Sequence, residues 1–481
     1  MIDPDTNTLP SRIRKHRRRS VWIWVKRIAI IFGLHFVIAT LGFAIDWKLT
    51  RDEGEKQLAV HTARLDAEDP GWRFVDIVAE HNSKVPPPET NTAMKAIALV
   101  GTMPKSFEAS AIRADIDKRR LPNELPSPDD WESLNSKFPE WESGVKELRN
   151  YDASTPRGRF AIEYAGGDPL SIKLDNLQLV RVVAFALAWD AMRSAHEGRP
   201  DAALRSALSM LHFNRAIDFE PSSIPLLVRL ATSSVAVHSV EQTLAWCLIP
   251  SEQVLATAQQ LIALESTPSS MQAAQRGDRA MILHAIDLYD RGEIGLDDRK
   301  PSPWELGTIL YKQYLPTNSV FALERHAEFE AMLNLPPSER AKALRDWPMP
   351  PNKLENAVGY LLLGAINKVA LAEIRYQAKC ACTAAGIACE RYRLKHGKWP
   401  AQLDDLAAFG IRKGLIDPFD GQPLRFSMVE DGIVIYSIGT DGRDDGGDVV
   451  RREGTPKDVG FRLWNTDKRR VERAVTPEPN E

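Results

Sequence analysis

LDNLQLVRVVAFALAWDAMRSAHEGRPDAALRSALSML, residues 174–211, decides the fold class. Leu174, Leu177, Val180, Ala184, Leu187 and Ala191 recur at steps of three and four, the spacing that gathers apolar side chains on one face of an α-helix. Gly198-Arg199-Pro200 interrupts the pattern, and Ala203, Leu204, Ala207, Leu208 and Leu211 resume it. Working outward, Leu226, Leu227, Leu230, Val235 and Val237 carry the same period, with breaks at Glu220-Pro221, Ile249-Pro250 and Thr267-Pro268. Ser251 and Thr267 are suitable N-caps. Residues 166–290 therefore read as four or five antiparallel helices, a bundle or short solenoid, in a mainly α protein.

Composition sets the outer limits. The chain has 481 residues, 43% hydrophobic and 26% charged, with four cysteines. These values exclude wholesale disorder, collagen, a multispan membrane protein and a disulfide scaffold. Charge is divided unevenly: residues 1–27 hold eight Lys/Arg and two Asp, leaving 54 Lys/Arg against 63 Asp/Glu for the remainder. The boundary between the halves is IAIIFGLHFVIATLGFAI at 28–45, eighteen residues without Asp, Glu, Lys or Arg. That length crosses a bilayer core of about 30 Å when tilted or flanked by snorkelling cations. Trp22, Trp24 and Trp47 stand where interfacial aromatics belong, and the arginines of 12–19 load one side. The reading is a basic cytoplasmic tail at 1–20 and an uncleaved single-pass anchor at 21–45 in the inner (cytoplasmic) membrane. The bulk of the chain is then extracytoplasmic or periplasmic, and the lipid bilayer is the partner of 21–45. A cleaved signal peptide is the rival, disfavoured because 41–45 lacks a small-x-small exit.

Residues 46–165 are rich in proline, including Pro86-Pro87-Pro88, with short helices expected at 54–66, 72–83 and 107–119. A second proline-rich connection occupies 291–353, with short helices expected at 304–314, 319–334 and 338–345. The last unit, 354–465, precedes a flexible tail at 466–481. It opens with a proline-free helical run over 354–395 that stops at His396-Gly397. A short helix at 401–408 and the turn Asp417-Pro418-Phe419-Asp420-Gly421 follow. Leu424, Phe426 and Met428 alternate with polar residues, Asp431-Gly432 supplies a hairpin turn, and 433–438 returns as a strand.

The order YRLKHGKWP (392–400), short helix, DPFDGQPLRF (417–426), hairpin and YSIGTDGRDDGGDV (436–449) resembles the globular domain of type II secretion major pseudopilins, over about residues 370–450. The resemblance implies a small α+β domain with a short antiparallel sheet and a calcium ion in the final Asp/Gly loop, held by Asp441, Asp444, Asp445 and Asp448. Pseudopilin processing is not implied, because Gly42-Phe43 ends the apolar stretch instead of opening it. The whole chain also resembles uncharacterised envelope proteins of planctomycete-type bacteria through AEDPGWRFVDI (67–77) and DPFDGQPLRF.

Clustered carboxylates and glycines at 439–448 have the hard-oxygen chemistry that suits Ca2+, and without the resemblance they read as an exposed acidic turn. Cys380, Cys382 and Cys389 share one helix and cannot bridge each other; Cys247 is the partner left open to any of them. His238 with Glu241, His284 with Asp287, and His326 beside Glu324 and Glu328 could each place imidazole and carboxylate on one helix face. No zinc-protease, serine-hydrolase, Walker or dinucleotide motif occurs, so catalysis is not expected. The acidic exterior argues against nucleic acid. The function read from the residues is a membrane-anchored extracytoplasmic interaction or scaffold protein, linked by the resemblance to secretion or pilus-like assembly, with an unidentified envelope protein as partner. The alternatives are an envelope hydrolase using histidines and acids of the helical region, and a calcium-dependent sensor.

Overall fold

The computed structural model describes residues 11–101, 120–136, 141–152, 154–164, 167–218, 220–267, 270–295, 311–353, 355–363, 366–411, 415–450 and 455–472. The helix expected at 107–119, most of that at 304–314 and most of the C-terminal tail fall outside them. The protein is mainly helical, with one small antiparallel sheet and an N-terminal apolar helix.

That first helix, α1 (Ser11–Glu68), is 58 residues long, about 87 Å at 1.5 Å per residue. The helix expected at 54–66 is its continuation and not a separate element, because no proline interrupts 11–68. From Trp24 to Ile45 it is exposed on every side, so its apolar surface has no protein to cover it, and it is long enough to cross a membrane. Beyond Asp46 an inner face appears, with Trp47, Arg51, Gly54, Leu58, Thr62 and Leu65 less exposed than their neighbours and spaced three and four apart. This face packs on α11 (Leu315–Leu333). Gly54 makes the approach close: a Cβ there would lie 2.8 Å from Thr317 Oγ1 and 3.1 Å from Pro316 Cβ. Beside it Arg51 forks onto Asp290, Nη1 to Oδ1 at 3.0 Å and Nη2 to Oδ2 at 2.6 Å.

Short helices follow, α2 (Phe74–Ser83), α3 (Thr92–Gly101), α4 (Pro128–Asn135) and α5 (Glu142–Leu148). The helical region then comprises α6 (Asp175–His196), α7 (Pro200–Asn214), α8 (Ser223–Trp246), α9 (Glu252–Glu265) and α10 (Met271–Arg291). Its boundaries fall at the expected breaks, with Pro200 opening α7, where a missing N–H costs nothing. α8 is also apolar enough to cross a bilayer, yet it is mostly buried among α6, α7 and the C-terminal unit, which makes it a core helix. α12 (Pro337–Asp346) follows α11.

The helical run expected over 354–395 is described as α13 (Ala357–Leu363) and α14 (Ile366–His396), with Gly397 left-handed at φ +73° as the stop. A 3-10 segment at Leu403–Phe409 takes the place of the short helix at 401–408. The hairpin forms as β1 (Arg425–Val429) and β2 (Gly432–Ser437), with Met428 opposite Ile433. A third strand, β3 (Val459–Trp464), pairs antiparallel to β2 and gives the order β1-β2-β3. β2 and β3 lie on α14, where Gly386 admits the Phe461 ring: a Cβ at Gly386 would stand 2.2 Å from Phe461 Cδ1.

One apolar core runs from Ala93 through the helical region to Trp464, so α6–α9 and the sheet with α14 share a single interior. A buried ion network closes it. Arg469, with no exposed side-chain surface, forks onto Glu390 (Nη1 to Oε1 2.9 Å, Nη2 to Oε2 2.8 Å) and also donates to the carbonyls of Trp464 and Cys247. Arg393 reaches the same carboxylate. This one cluster joins the sheet, α14 and the end of α8.

Candidate functional site

The sequence-derived site is the loop after β2. Its carboxylates are hard oxygen donors of the type Ca2+ takes. Asp441 is exposed, and its Oδ1 accepts from the Arg443 amide at 3.1 Å, a local turn closure. Asp444 Oδ1 accepts from the Gly446 amide at 2.9 Å, while its Oδ2 faces Arg425 Nε at 3.4 Å. Asp445 Oδ1 pairs with Lys457 Nζ at 2.9 Å, and its buried Oδ2 has no hydrogen-bond partner among the described residues. Asp448 joins the loop through its backbone, its amide donating to Asp458 Oδ2 at 3.1 Å and its carbonyl accepting from the Asp458 amide at 3.2 Å. Among the described residues no three His, Cys, Asp or Glu side chains converge as metal ligands.

Asp458, which the sequence reading did not single out, organises the loop. It is 1% exposed and accepts from the amides of Asp445 (3.3 Å), Gly447 (2.8 Å) and Asp448 (3.1 Å). A carboxylate preceding a buried strand and facing a glycine-rich turn was the available signal. Asp417 does the same for the turn before β1. It is fully buried and accepts from Phe419 N, Ser437 Oγ, Ile438 N and Arg425 Nη1 at 2.7–3.0 Å. Burial pushes its carboxyl up, against those donors.

The histidine pairs do not assemble into one site. His238 Nδ1 is 4.0 Å from Glu241 Oε2, but Lys379 Nζ already donates to that oxygen at 2.8 Å. His284 Nε2 is engaged with the Gly167 carbonyl at 3.1 Å and its ring stacks on Phe74, while Asp287 turns to Arg291. Glu324 faces His61 and Glu328 holds Arg325, leaving His326 buried with neither ring nitrogen hydrogen-bonded among the described residues. Burial, with Arg279 nearby, drives the His326 imidazole down to about 3, so it is neutral.

All four cysteines are free and buried, so Cys247 bridges none of Cys380, Cys382 and Cys389. Its thiol sits against the Ala195 carbonyl at 3.5 Å, and burial pushes it up to about 11. The other three thiols are raised by burial as well, which keeps them protonated and unreactive.

Two cavities share Phe74 as a lining residue. A cleft of about 520 Å³ under α1 is walled by Leu58, Trp72, Phe74 and Leu283, and the charges at its rim, Arg51 and Asp290, neutralise each other. A smaller cavity of about 160 Å³ between Phe160, Leu174, Pro221 and Met281 holds Glu220, whose carboxyl burial raises to about 8. No protein family model, curated protein or solved structure matches this chain.

Proposed function

We propose that the protein is a single-pass anchored interaction protein of the bacterial envelope, with its basic tail in the cytoplasm and its body outside the inner membrane, held at a fixed attitude to the bilayer. The observation that carries this reading is the continuity of α1, which leaves the exposed apolar stretch and docks without a break on α11 through Gly54 and on the end of α10 through the Arg51–Asp290 pair. A flexible tether would let the body search. A stiff strut places its surfaces in one orientation, which suits a scaffold. The pseudopilin-like reading of the C-terminal unit is supported by the sheet packed on a long helix, and linkage to secretion or pilus-like assembly rests on it alone. Photo-crosslinking in native membranes from the exposed positions Leu227 and Ile249 tests the scaffold role. Discrete high-mass adducts are expected; monomer alone at every position overturns it.

The buried Asp445 Oδ2, without a hydrogen-bond partner among the described residues, favours a second element, a calcium ion at Asp441, Asp444, Asp445 and Asp448. For that ion to bind, Asp444 must leave Arg425 and Asp445 must leave Lys457, so two ion pairs compete with it. The melting temperature in EDTA and in millimolar CaCl2 tests it, since a metal held only by the folded state raises it. A rise abolished by Asp445→Asn supports the ion, and an unchanged midpoint removes it.

A further inference from the structure

A groove of about 450 Å³ opens between α8, α14 and the segment leading into β3. Its walls include Leu227, Leu230, Ala372, Val449 and Val459. Leu227 is 43% exposed although its neighbours are buried, so an apolar surface faces solvent here. Two cations stand in the groove. Lys379 is spent, its Nζ donating to Glu241 at 2.8 Å and to the Gly460 carbonyl at 2.6 Å. Arg375 is not: it is partly buried, and among the described residues no carboxylate or carbonyl meets its guanidinium. The comparison within the molecule sharpens the point. Of the arginines buried among the described residues, Arg229, Arg279, Arg325 and Arg469 each face a carboxylate, and Arg120 donates to the Glu124 carbonyl. Asp458 also lines the groove but is saturated by three amides and 1% exposed, so it offers Arg375 no counter-charge.

A half-buried guanidinium without a counter-ion on an apolar wall gains from an anion, and its planar fork matches a carboxylate in two parallel hydrogen bonds. The volume falls within the roughly 300–1,000 Å³ typical of small-molecule sites, which combine apolar walls with a few fixed polar groups. Among the described residues of the groove Arg375 is the one cation without an anionic partner, so a monoanion balances the charge better than a dianion does. We propose that this groove binds a small amphiphile bearing a single carboxylate, its head on Arg375 and its chain along Leu227, Leu230 and Val449. The site lies apart from the anchor and does not depend on the scaffold reading.

Octanoate labelled with ¹³C at its carboxyl, titrated by NMR against the full chain in lipid nanodiscs with empty nanodiscs as baseline, tests the site. Saturable binding above that baseline is expected. Arg375→Gln should weaken it at least about tenfold, the loss of one charge-assisted pair. Arg375→Lys should restore a part, and Leu227→Ser should weaken it without touching the cation. 1-Octanol and octyl phosphate should bind less well than octanoate. Equal binding of octanol, equal binding by Arg375→Gln, or no signal above empty nanodiscs overturns the proposal. Unchanged melting temperatures of the Arg375 variants separate loss of the site from loss of the fold.

Discussion

The network at Glu390 offers the sharpest test of how the sheet is joined to the helices. Glu390 and Arg469 have no exposed side-chain surface, so their attraction acts with little screening, and each would be left uncompensated if the other were removed. Replacing Arg469 by Met deletes two charge-assisted bonds of 2.8 and 2.9 Å and the donors to the Trp464 and Cys247 carbonyls, leaving Arg393 as the remaining partner of the carboxylate. Breaking a buried pair in this way costs about 3–5 kcal/mol. Glu390→Gln removes the anion from between two guanidiniums and should cost as much. The double variant Glu390→Leu/Arg469→Met leaves neither charge buried alone, so its loss should fall short of the sum of the single losses by at least about 2 kcal/mol. Desolvation raises the Glu390 carboxyl, but the hydrogen bonds from Arg393 and Arg469 outweigh it and hold it below its usual value of 4.5. A folded-state value below the unfolded one means the network's contribution is intact above pH 4.5 and is lost as pH falls through the folded-state value. Urea unfolding of the full chain in detergent micelles, followed by tryptophan fluorescence, measures all of this. Single losses below about 1 kcal/mol, or strictly additive ones, would refute the reasoning.

Other consequences are as direct. Gly54→Leu should push α1 off α11 at a cost of about 1–3 kcal/mol, the usual range for overpacking; spin labels at Glu53 and Ala327, with the four native thiols buried, should give one narrow distance in the parent protein and a broad distribution in the variant. Because the folded His326 imidazole titrates near 3 against 6.5 unfolded, the unfolded chain binds the extra proton between those values and stability falls as pH drops through that window. His326→Leu should flatten the acid limb of the stability profile there, and an unchanged limb counts against the buried neutral imidazole. Glu220 works in the opposite sense: raised to about 8, it contributes fully below 4.5 and progressively less toward pH 8, so Glu220→Gln should raise the melting temperature at pH 8 and change it little at pH 4.

The helical architecture was readable because its signals are local. Period and proline breaks placed α6 to α10 within a few residues, and Gly397 and the Asp431-Gly432 turn stood where the chain needs them. The missed features depend on contacts distant in sequence. β3 reads VGFRLW, with apolar residues on both faces, because it is buried on both sides and so lacks the alternation of a half-buried strand. The extension of α1 past the apolar stretch is polar on most faces, and its helicity is supported by α11, more than 250 residues away. The spacing of the four loop aspartates was visible, but the cations that meet two of them, Arg425 and Lys457, and the carboxylate that pins the turn, Asp458, come from outside the motif. Arg375 carries no sequence signal at all, since a free guanidinium is defined only by what folding fails to place beside it.

The anchored orientation is tested most directly by labelling single added cysteines in intact cells with a membrane-impermeant maleimide. The four native thiols are buried and should give little background. Glu430→Cys on the exposed hairpin turn should react at once, and Ser11→Cys in the basic tail only after the cells are permeabilised. The reverse pattern, or reaction at neither site until permeabilisation, would contradict a body held outside the cytoplasmic membrane by α1.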